Sequence, residues 1–268
     1  MTDPKPSTPP PTSVPASRPR SSPFPPVRRI DPAAPLRWIA AGWRDLRAAP
    51  AVSLFYGAAF ALMGWLIYFV FRHAHEYISA LTAGFLLLGP FLCTGLYDVS
   101  RRLGSGQSVT LWQTMTAWRA NLGAFSLFAL ILTVVMLVWA RASLVTFALF
   151  FSSGMPSLSG FLGRVVSVEH WDFVLTYFAV GALFATMVFA LSVVSVPLML
   201  ARGTDTVVAA VTSVRALATN PLPLALWAAL IVVLVGAGFA TLFIGLLITV
   251  PLVGHATWHA YRDLIGEQ

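Results

Sequence analysis

Long apolar stretches alternate along the chain with short segments that carry arginine. A helix needs about 20 residues to cross the hydrocarbon core of a bilayer. Six stretches approach that length, namely 51–71, 77–99, 121–140, 172–200, 223–237 and 240–258. The pattern predicts an all-α fold, a polytopic transmembrane helical bundle with about six spans.

The last two stretches form one apolar run, residues 222–253, which Gly236 and Gly238 interrupt. The run is too long for one upright helix and short for two spans. We interpret it as a tight hairpin, which gives six spans. A single long, tilted helix is the alternative, and it would give five.

Composition supports a membrane location. Hydrophobic residues make up 57% of the 268 residues and charged residues only 10%, and the mean hydropathy is +0.79. A soluble domain of this size could not hide so much apolar surface from water. We therefore expect the lipid bilayer to surround the chain. Because the basic residues cluster at the ends of spans, they indicate membrane topology rather than nucleic-acid binding.

The distribution of basic residues predicts the orientation. With six spans and a cytoplasmic N-terminus, all of the 17 Lys+Arg residues except Arg72, Arg141 and Arg164 fall on the cytoplasmic side. Positively charged segments are retained on that side during insertion. We therefore expect the N-terminus and the C-terminus in the cytoplasm.

Residues 1–35 differ from the rest in composition. They hold 12 of the 19 prolines. Such a segment cannot bury enough apolar surface to offset its ordering entropy. We predict a disordered, Pro/Arg-rich cytoplasmic tail over 1–35 and a transmembrane helical domain over 36–268. The tail either is solvated and helps to fix the orientation, or is a proline-rich docking site for a partner.

The spans follow a loose threefold repeat. Each unit begins with a basic segment, at 43–50, 118–121 and 214–221, and continues with an apolar hairpin. Apolar residues upstream of each basic segment recur at helical spacing, which predicts amphipathic entry helices in the inner interface. Three units give three hairpins and hence six spans.

The second helix of each predicted hairpin contains an internal proline: Pro90, Pro197 and Pro251. A proline inside a helix frees a carbonyl one turn earlier and kinks the helix. The kinks either are repacked by neighbouring helices or act as hinges beside a cavity, as in transporters with broken helices. Ser192 and Ser195, which precede Pro197, are expected to bond to backbone groups there.

Residues 141–171 form the longest predicted outer segment. Its apolar part, 142–151, is too short to span the bilayer. It is therefore either a continuation of the third helix or a re-entrant or interfacial piece. In each case it caps the outer side of the bundle.

Two histidines form a candidate site. His255 and His259 stand at i and i+4 and share one helical face, with Trp258 and Tyr261 nearby. That spacing suits two imidazoles on one metal or haem, but the segment lacks the glutamate of a zincin motif. We favour the alternative, in which both histidines bond to backbone or headgroups, and expect no metal and no cofactor.

Ionisable residues are scarce inside the predicted spans and gather at the inner ends. Ion-coupled carriers usually need buried carboxylates along the path of the ion. The scarcity of such residues therefore disfavours an ion-coupled carrier. No phosphate loop, nucleophile elbow or pair of catalytic carboxylates appears, and we expect no enzymatic activity. The predicted interfacial ion pairs are Asp98 with Arg101 and Arg102, Arg202 with Asp205, and Arg262 with Asp263.

Four stretches carry a family resemblance: 41–46 (AGWRDL), 83–90 (AGFLLLGP), 220–223 (NPLP) and 254–263 (GHATWHAYRD). Over roughly 36–265 the chain resembles the bacterial predicted integral membrane proteins grouped as domain of unknown function 2189. The resemblance implies a location in the bacterial inner membrane. It brings no established activity and no catalytic residue to carry over.

Two functions fit these observations. The first is a non-catalytic accessory or assembly partner of a membrane complex, which the scarcity of buried charge and the flexible tail favour. The second is a transporter or lipid-handling protein whose kinked hairpins enclose an apolar cavity. The candidate functional residues are His255, His259, Trp258, Arg262, Asp98, Pro90, Pro197 and Pro251.

Overall fold

The computed structural model describes residues 24–73, 78–150 and 171–266. Within these ranges helices alternate with short loops and no strand occurs, which confirms the predicted all-α fold. The elements are α1 (Ala34–Ala48), α2 (Pro50–His73), α3 (Ile78–Gly104), α4 (Leu111–Met115), a 3-10 helix (Ala117–Asn121), α5 (Leu122–Phe150), α6 (Trp171–Ser192), α7 (Ser195–Arg202), α8 (Thr206–Thr219), α9 (Pro221–Ala240) and α10 (Leu246–Ile265).

Four helical stretches of the described chain are long and apolar enough to cross a membrane: Pro50–His73, Leu111–Phe150, Trp171–Arg202 and Pro221–Ala240. They correspond to the first, third, fourth and fifth predicted spans, so the chain is a multi-pass membrane protein. The second and sixth predicted spans coincide with α3 and α10, which are 27 and 20 residues long. The count of six spans stays a prediction.

The C-terminal apolar run is a hairpin, as predicted, and the alternative of one long helix is wrong. Helices α9 and α10 are joined by a five-residue turn in which Leu242 and Phe243 adopt positive φ values of 54° and 67°. The Thr241 hydroxyl accepts a hydrogen bond from the Gly245 N–H at 2.8 Å. A side chain at Gly238 would meet Leu246 and Thr249 across the turn, so glycine there allows the two helices to close.

The first and third units of the predicted repeat share one junction geometry. Ala49 ends α1 with φ −131° and ψ 60°, and Asn220 ends α8 with φ −132° and ψ 57°. A proline begins the following helix in both units, at Pro50 and Pro221, and its fixed φ suits the first turn. The second unit differs, because its 3-10 helix runs directly into α5 without a proline.

Helix α10 lies at the centre of the bundle, and α1, α2, α3 and α9 all pack against it. Glycines bring the backbones close together. A Cβ on Gly42 of α1 would lie 2.8 Å from the Ala256 nitrogen, and one on Gly57 of α2 would lie 2.7 Å from the Leu247 carbonyl carbon. Such small-residue contacts are typical of helix packing in membranes.

The core is concentrated at one end of the bundle. This arginine-rich end comprises α1, α4, α8 and the C-terminal turns of α3, α7 and α10. Trp38 and Trp227 pack there edge to face, with ring centroids 5.8 Å apart, and both are buried. Elsewhere the spans are open, since only 22% of the apolar window of α2 or α9 is buried. This exposed apolar surface is suited to lipid.

The fourth predicted span, 172–200, is interrupted. Helix α6 ends at Ser192 and α7 begins at Ser195, so Pro197 stands in the first turn of a new helix, where its missing N–H costs no helical hydrogen bond. Ser192 donates to the Val188 carbonyl at 2.6 Å, and Ser195 donates to the Leu191 carbonyl. The expected serine–backbone bonds are therefore confirmed, whereas the expected kink is a break.

The other two prolines lie within helices. Pro251 is a buried interior residue of α10, and the backbone of Pro90 belongs to α3. Downstream, α5 continues without interruption to Phe150, so the apolar part of the outer segment prolongs the third helix. Residues 151–170 of that segment lie outside the described residues.

The chain before α1 is held against the helical domain. Residues 1–23 of the predicted tail lie outside the described residues. Farther on, the Arg28 N–H donates to the Leu264 carbonyl at 2.7 Å. The Asn220 side chain accepts from the Ile30 N–H and donates to the Arg28 carbonyl, both at 2.9 Å. Contact with the helical domain thus begins before residue 35, and the domain boundary at that residue stays a prediction.

Candidate functional site

His255 joins three helices through its two ring nitrogens. It is fully buried in α10. Its Nε2 lies 2.9 Å from Ser53 Oγ of α2, and its Nδ1 lies 2.8 Å from Ser100 Oγ of α3. One nitrogen of a neutral imidazole donates and the other accepts, and a serine hydroxyl can take either role. The site therefore satisfies a neutral histidine without any charged partner.

His259, one turn farther along α10, contacts a different group. Its Nε2 lies 2.8 Å from Oδ2 of Asp45 in α1. The two histidines therefore do not converge on one point, although they share a helical face. A metal at His255 would have to replace a serine hydrogen bond, and among the described residues no group of three or more His, Cys, Asp and Glu side chains comes together.

Asp45 lies on α1, outside the candidate spans. Burial opposes its ionisation, but hydrogen bonds from His259 and Ser100 and the electrostatic attraction of His259 prevail, so the pKa of Asp45 is lowered. The charged form is thus the one that the contact between α1 and α10 stabilises.

Acidification is expected to weaken this contact. A carboxyl whose folded-state pKa is lowered stabilises the fold above its ordinary pKa of about 4, and the contribution is lost as the pH falls through the lowered value. Thermal unfolding of the detergent-solubilised protein should lose stability over that acidic range, and the Asp45→Asn variant should lose less. The same pH dependence in both proteins would show that the contact adds no stability.

Asp98 is the most enclosed charge of the arginine-rich end. Its carboxylate is fully buried and accepts from Arg101 Nε at 2.8 Å and from Arg102 Nε at 2.6 Å. Arg102 also donates to Gln113 Oε1 at 3.2 Å, which ties the end of α3 to α4. The prediction of ion pairs at this helix end is confirmed.

The other two predicted ion pairs do not form as proposed. Asp205 instead caps α8, accepting from the N–H groups of Val207 and Val208. Asp263 accepts from Trp38 Nε1 at 2.7 Å, because its side chain points toward α1. One carboxylate accepts hydrogen bonds from backbone N–H groups at the start of a helix, and the other accepts one from an indole N–H. The position of an aspartate next to an arginine in the sequence does not predict either contact.

A cavity of about 400 Å³ opens where α3, α7 and α10 end. Arg101, Arg202 and Arg262, one from each helix, line it together with Trp258 and Tyr261. Arg202 Nη2 donates to the Gly266 carbonyl at 2.7 Å. The predicted candidates Trp258 and Arg262 therefore meet in one site, while His255 and His259 belong to the polar network beside it.

Sequence reasoning identified some members of these sites and missed others. Ser53 and Ser100 carry no sequence signal, because each is one serine in an apolar helix. Arg101 and Arg202 were placed in separate ion pairs, and their convergence on one cavity depends on how α3 and α7 pack. The signal that could have revealed it is that arginine recurs near the end of the second helix of each of the three predicted hairpins.

A family model matches the central segment of the chain. Residues 78–201 match the family model described as predicted integral membrane protein, domain of unknown function 2189. This segment is similar to that family. The match confirms the resemblance drawn from the sequence, and of the four stretches that carried it the matched range contains 83–90. No curated protein and no solved structure matches the chain.

The matched segment runs from the start of α3 almost to the end of α7. It contains Asp98 and Arg101, while α1, α2 and α10 lie outside it. The family description agrees with the long apolar helices and establishes an integral membrane protein. It specifies no reaction, ligand or partner.

Proposed function

We propose that the protein is a non-catalytic accessory or assembly partner of a membrane complex. In this proposal it resides in the bacterial inner membrane, with the arginine-rich end and both termini in the cytoplasm. Retention of positive charge on the cytoplasmic side supports the orientation. The observation that supports the functional proposal is a row of exposed apolar side chains along one face of α5.

The α5–α6 hairpin is fastened to the bundle near the arginine-rich end. Thr206 donates to the Ala124 carbonyl at 2.8 Å, and Asn121 Nδ2 donates to the Thr204 carbonyl at 3.0 Å. Toward its other end the hairpin packs on itself, with Phe173 of α6 centred 5.6 Å from Phe150 of α5. The opposite face of α5 is left exposed.

One set of exposed side chains of α5 follows the spacing of a helix–helix seam. Separations of three and four residues place them on one face, as in the seam of paired helices. Exposed fractions of the apolar members range from 46% to 62%. The α5 seam comprises Leu127, Leu130, Val134, Leu137, Arg141 and Leu144.

Arg141 makes this face more than a lipid-facing surface. An arginine on an apolar span is costly unless it reaches the interface or pairs with another group. No ion pair of Arg141 occurs within the described part of the chain. A partner span that carries an acidic residue at the matching height would complement both the apolar side chains and the charge.

The test is a mild-detergent purification from native membranes, combined with cross-linking from a photoreactive residue at position 134. We expect one membrane protein to be recovered in stoichiometric amount and to cross-link from the α5 seam. A Val134→Trp substitution should release it, because the added ring blocks close helix approach. Val232→Trp on α9, at a position 70% exposed, is the matched control and should retain it.

One result would contradict the accessory role, and another would contradict the α5 seam as its contact surface. One is the recovery of the protein alone or with lipid only, which would favour the alternative of a transporter or lipid-handling protein and make flux across vesicles the next assay. The other is equal retention of the partner by both tryptophan variants, which would show that the α5 seam is not the contact surface.

A further inference from the structure

We propose that the cavity between the C-terminal ends of α3, α7 and α10 binds a phosphate-bearing anion. The site goes beyond the accessory role and does not depend on it. Its chemistry suits either the phosphate of an anionic lipid headgroup or a free phosphate, and the two sources can be told apart by experiment.

Charge is the first observation. Three guanidinium groups line the cavity, and none of the lining residues that the structure describes is acidic. Two carboxylates of the described residues are engaged elsewhere: Asp98 lies behind Arg101 and is shared with Arg102, and Asp263 bonds to Trp38. The described lining of the cavity therefore carries more positive than negative charge, which an anion would offset.

Pre-organisation is the second observation. Arg101 is held by Asp98, and Arg202 is held by the Gly266 carbonyl. Each guanidinium has five N–H donors in a planar fork, and these contacts use only part of them. The guanidinium of Arg262 lies against the end of α3, with Nη1 3.2 Å from the point where a Cβ of Gly104 would stand. Arginine forks fixed in this way match the oxygens of a phosphate group.

An indole donor is the third observation. Trp258 is 4% exposed and lines the cavity, and its Nε1 finds no hydrogen-bond acceptor within the described part of the chain. A buried N–H without an acceptor is unfavourable. An anion bound beside Trp258 would place acceptor oxygens close to this ring.

The position of the cavity suits a ligand at the membrane surface. The three helices that form it end at the arginine-rich end, which the proposed orientation places on the cytoplasmic side of the membrane. Basic pockets between membrane helices at this depth are suited to anionic headgroups. Phosphate-bearing anions from solution can reach the same opening.

The experiment measures binding to the delipidated full-length protein in detergent. The probes are inorganic phosphate, followed by thermal shift, and phosphatidylglycerol against phosphatidylcholine in mixed micelles, followed by native mass spectrometry. We expect phosphatidylglycerol to bind more tightly than phosphatidylcholine. Arg262→Gln should weaken binding about tenfold, the effect of losing one charge-assisted hydrogen bond.

The matched control is Arg44→Gln, which removes the same charge from an exposed position on α1 and should leave binding unchanged. Arg262→Lys keeps the charge without the fork and should bind with intermediate affinity, which separates loss of the site from loss of the fold. Binding of phosphatidylglycerol alone identifies a headgroup site, and binding of inorganic phosphate as well identifies a site for free phosphate.

Two outcomes would overturn the proposal. One is that neither probe binds the wild-type protein. The other is that Arg44→Gln and Arg262→Gln weaken binding equally, which would mean that overall positive charge attracts the anion. Neither outcome bears on the α5 seam, so failure here and failure of the accessory role are distinguishable.

Discussion

Replacing Gly57 by alanine should destabilise the protein by about 3 kcal/mol, because one methyl group would be forced into backbone atoms. The new Cβ would lie 2.7 Å from the Leu247 carbonyl carbon and 2.8 Å from its Cα. Neither atom can turn aside as a flexible side chain could. The helices α2 and α10 would have to separate, and the contacts of α2 along the first turns of α10 would be lost.

The measurement is unfolding of the purified protein in mixed micelles, with Gly181→Ala as the matched control. Gly181 lies in α6, and a Cβ there would meet no heavy atom within 4 Å. The control should unfold like the wild-type protein or slightly later, since alanine is the better helix former. If the two variants proved equally stable, close backbone approach at Gly57 would not be needed.

The Asp98→Asn substitution should have the second-largest effect, a loss of about 2 to 3 kcal/mol. It removes the charge that two arginines share at a fully buried carboxylate. Breaking a buried ion pair leaves a charge without compensation, although partial exposure of the arginines reduces the cost. The ends of α3 and α4 should loosen together because Arg102 also contacts Gln113.

Asp31→Asn provides the comparison for this charge removal. Asp31 pairs with Arg37 at 3.4 Å, and the side chains are 58% and 60% exposed, so water already solvates both ions. This variant should unfold like the wild-type protein in the same assay. Equal loss from Asp98→Asn and Asp31→Asn would show that burial of the first ion pair adds no stability.

The architecture was predictable because apolar periodicity and length determine which segments become membrane helices. Gly236 and Gly238 indicated the C-terminal hairpin, and Pro50 and Pro221 began the helices that follow α1 and α8. The break before α7 was not predictable in the same way. Proline signals a disturbance, but whether the helix bends or stops depends on whether neighbours such as Ser213, which accepts from the Val194 N–H at 3.2 Å, satisfy the freed backbone groups.

The candidate site was predictable only in part, for a related reason. The i, i+4 spacing placed His255 and His259 on one face of a helix, but not which helices would face them. Ser53, Ser100 and Asp45 come from three other helices. Periodicity in a single sequence predicts the face of a helix, but it does not predict which distant segment packs against that face. The arginine cavity has the same origin, since its three guanidiniums are 60 or more residues apart along the chain.

The central place of α10 has a consequence for biogenesis. Every other described helix precedes α10 in the chain, yet α1, α2 and α3 bury their small and polar side chains against it. The earlier helices can enter the bilayer as they emerge from the ribosome, but they have no partner for those faces until α10 has been synthesised. Insertion and helix packing are thus separate events. Until α10 has been inserted, the first half of the chain is accessible to chaperones and proteases in the membrane.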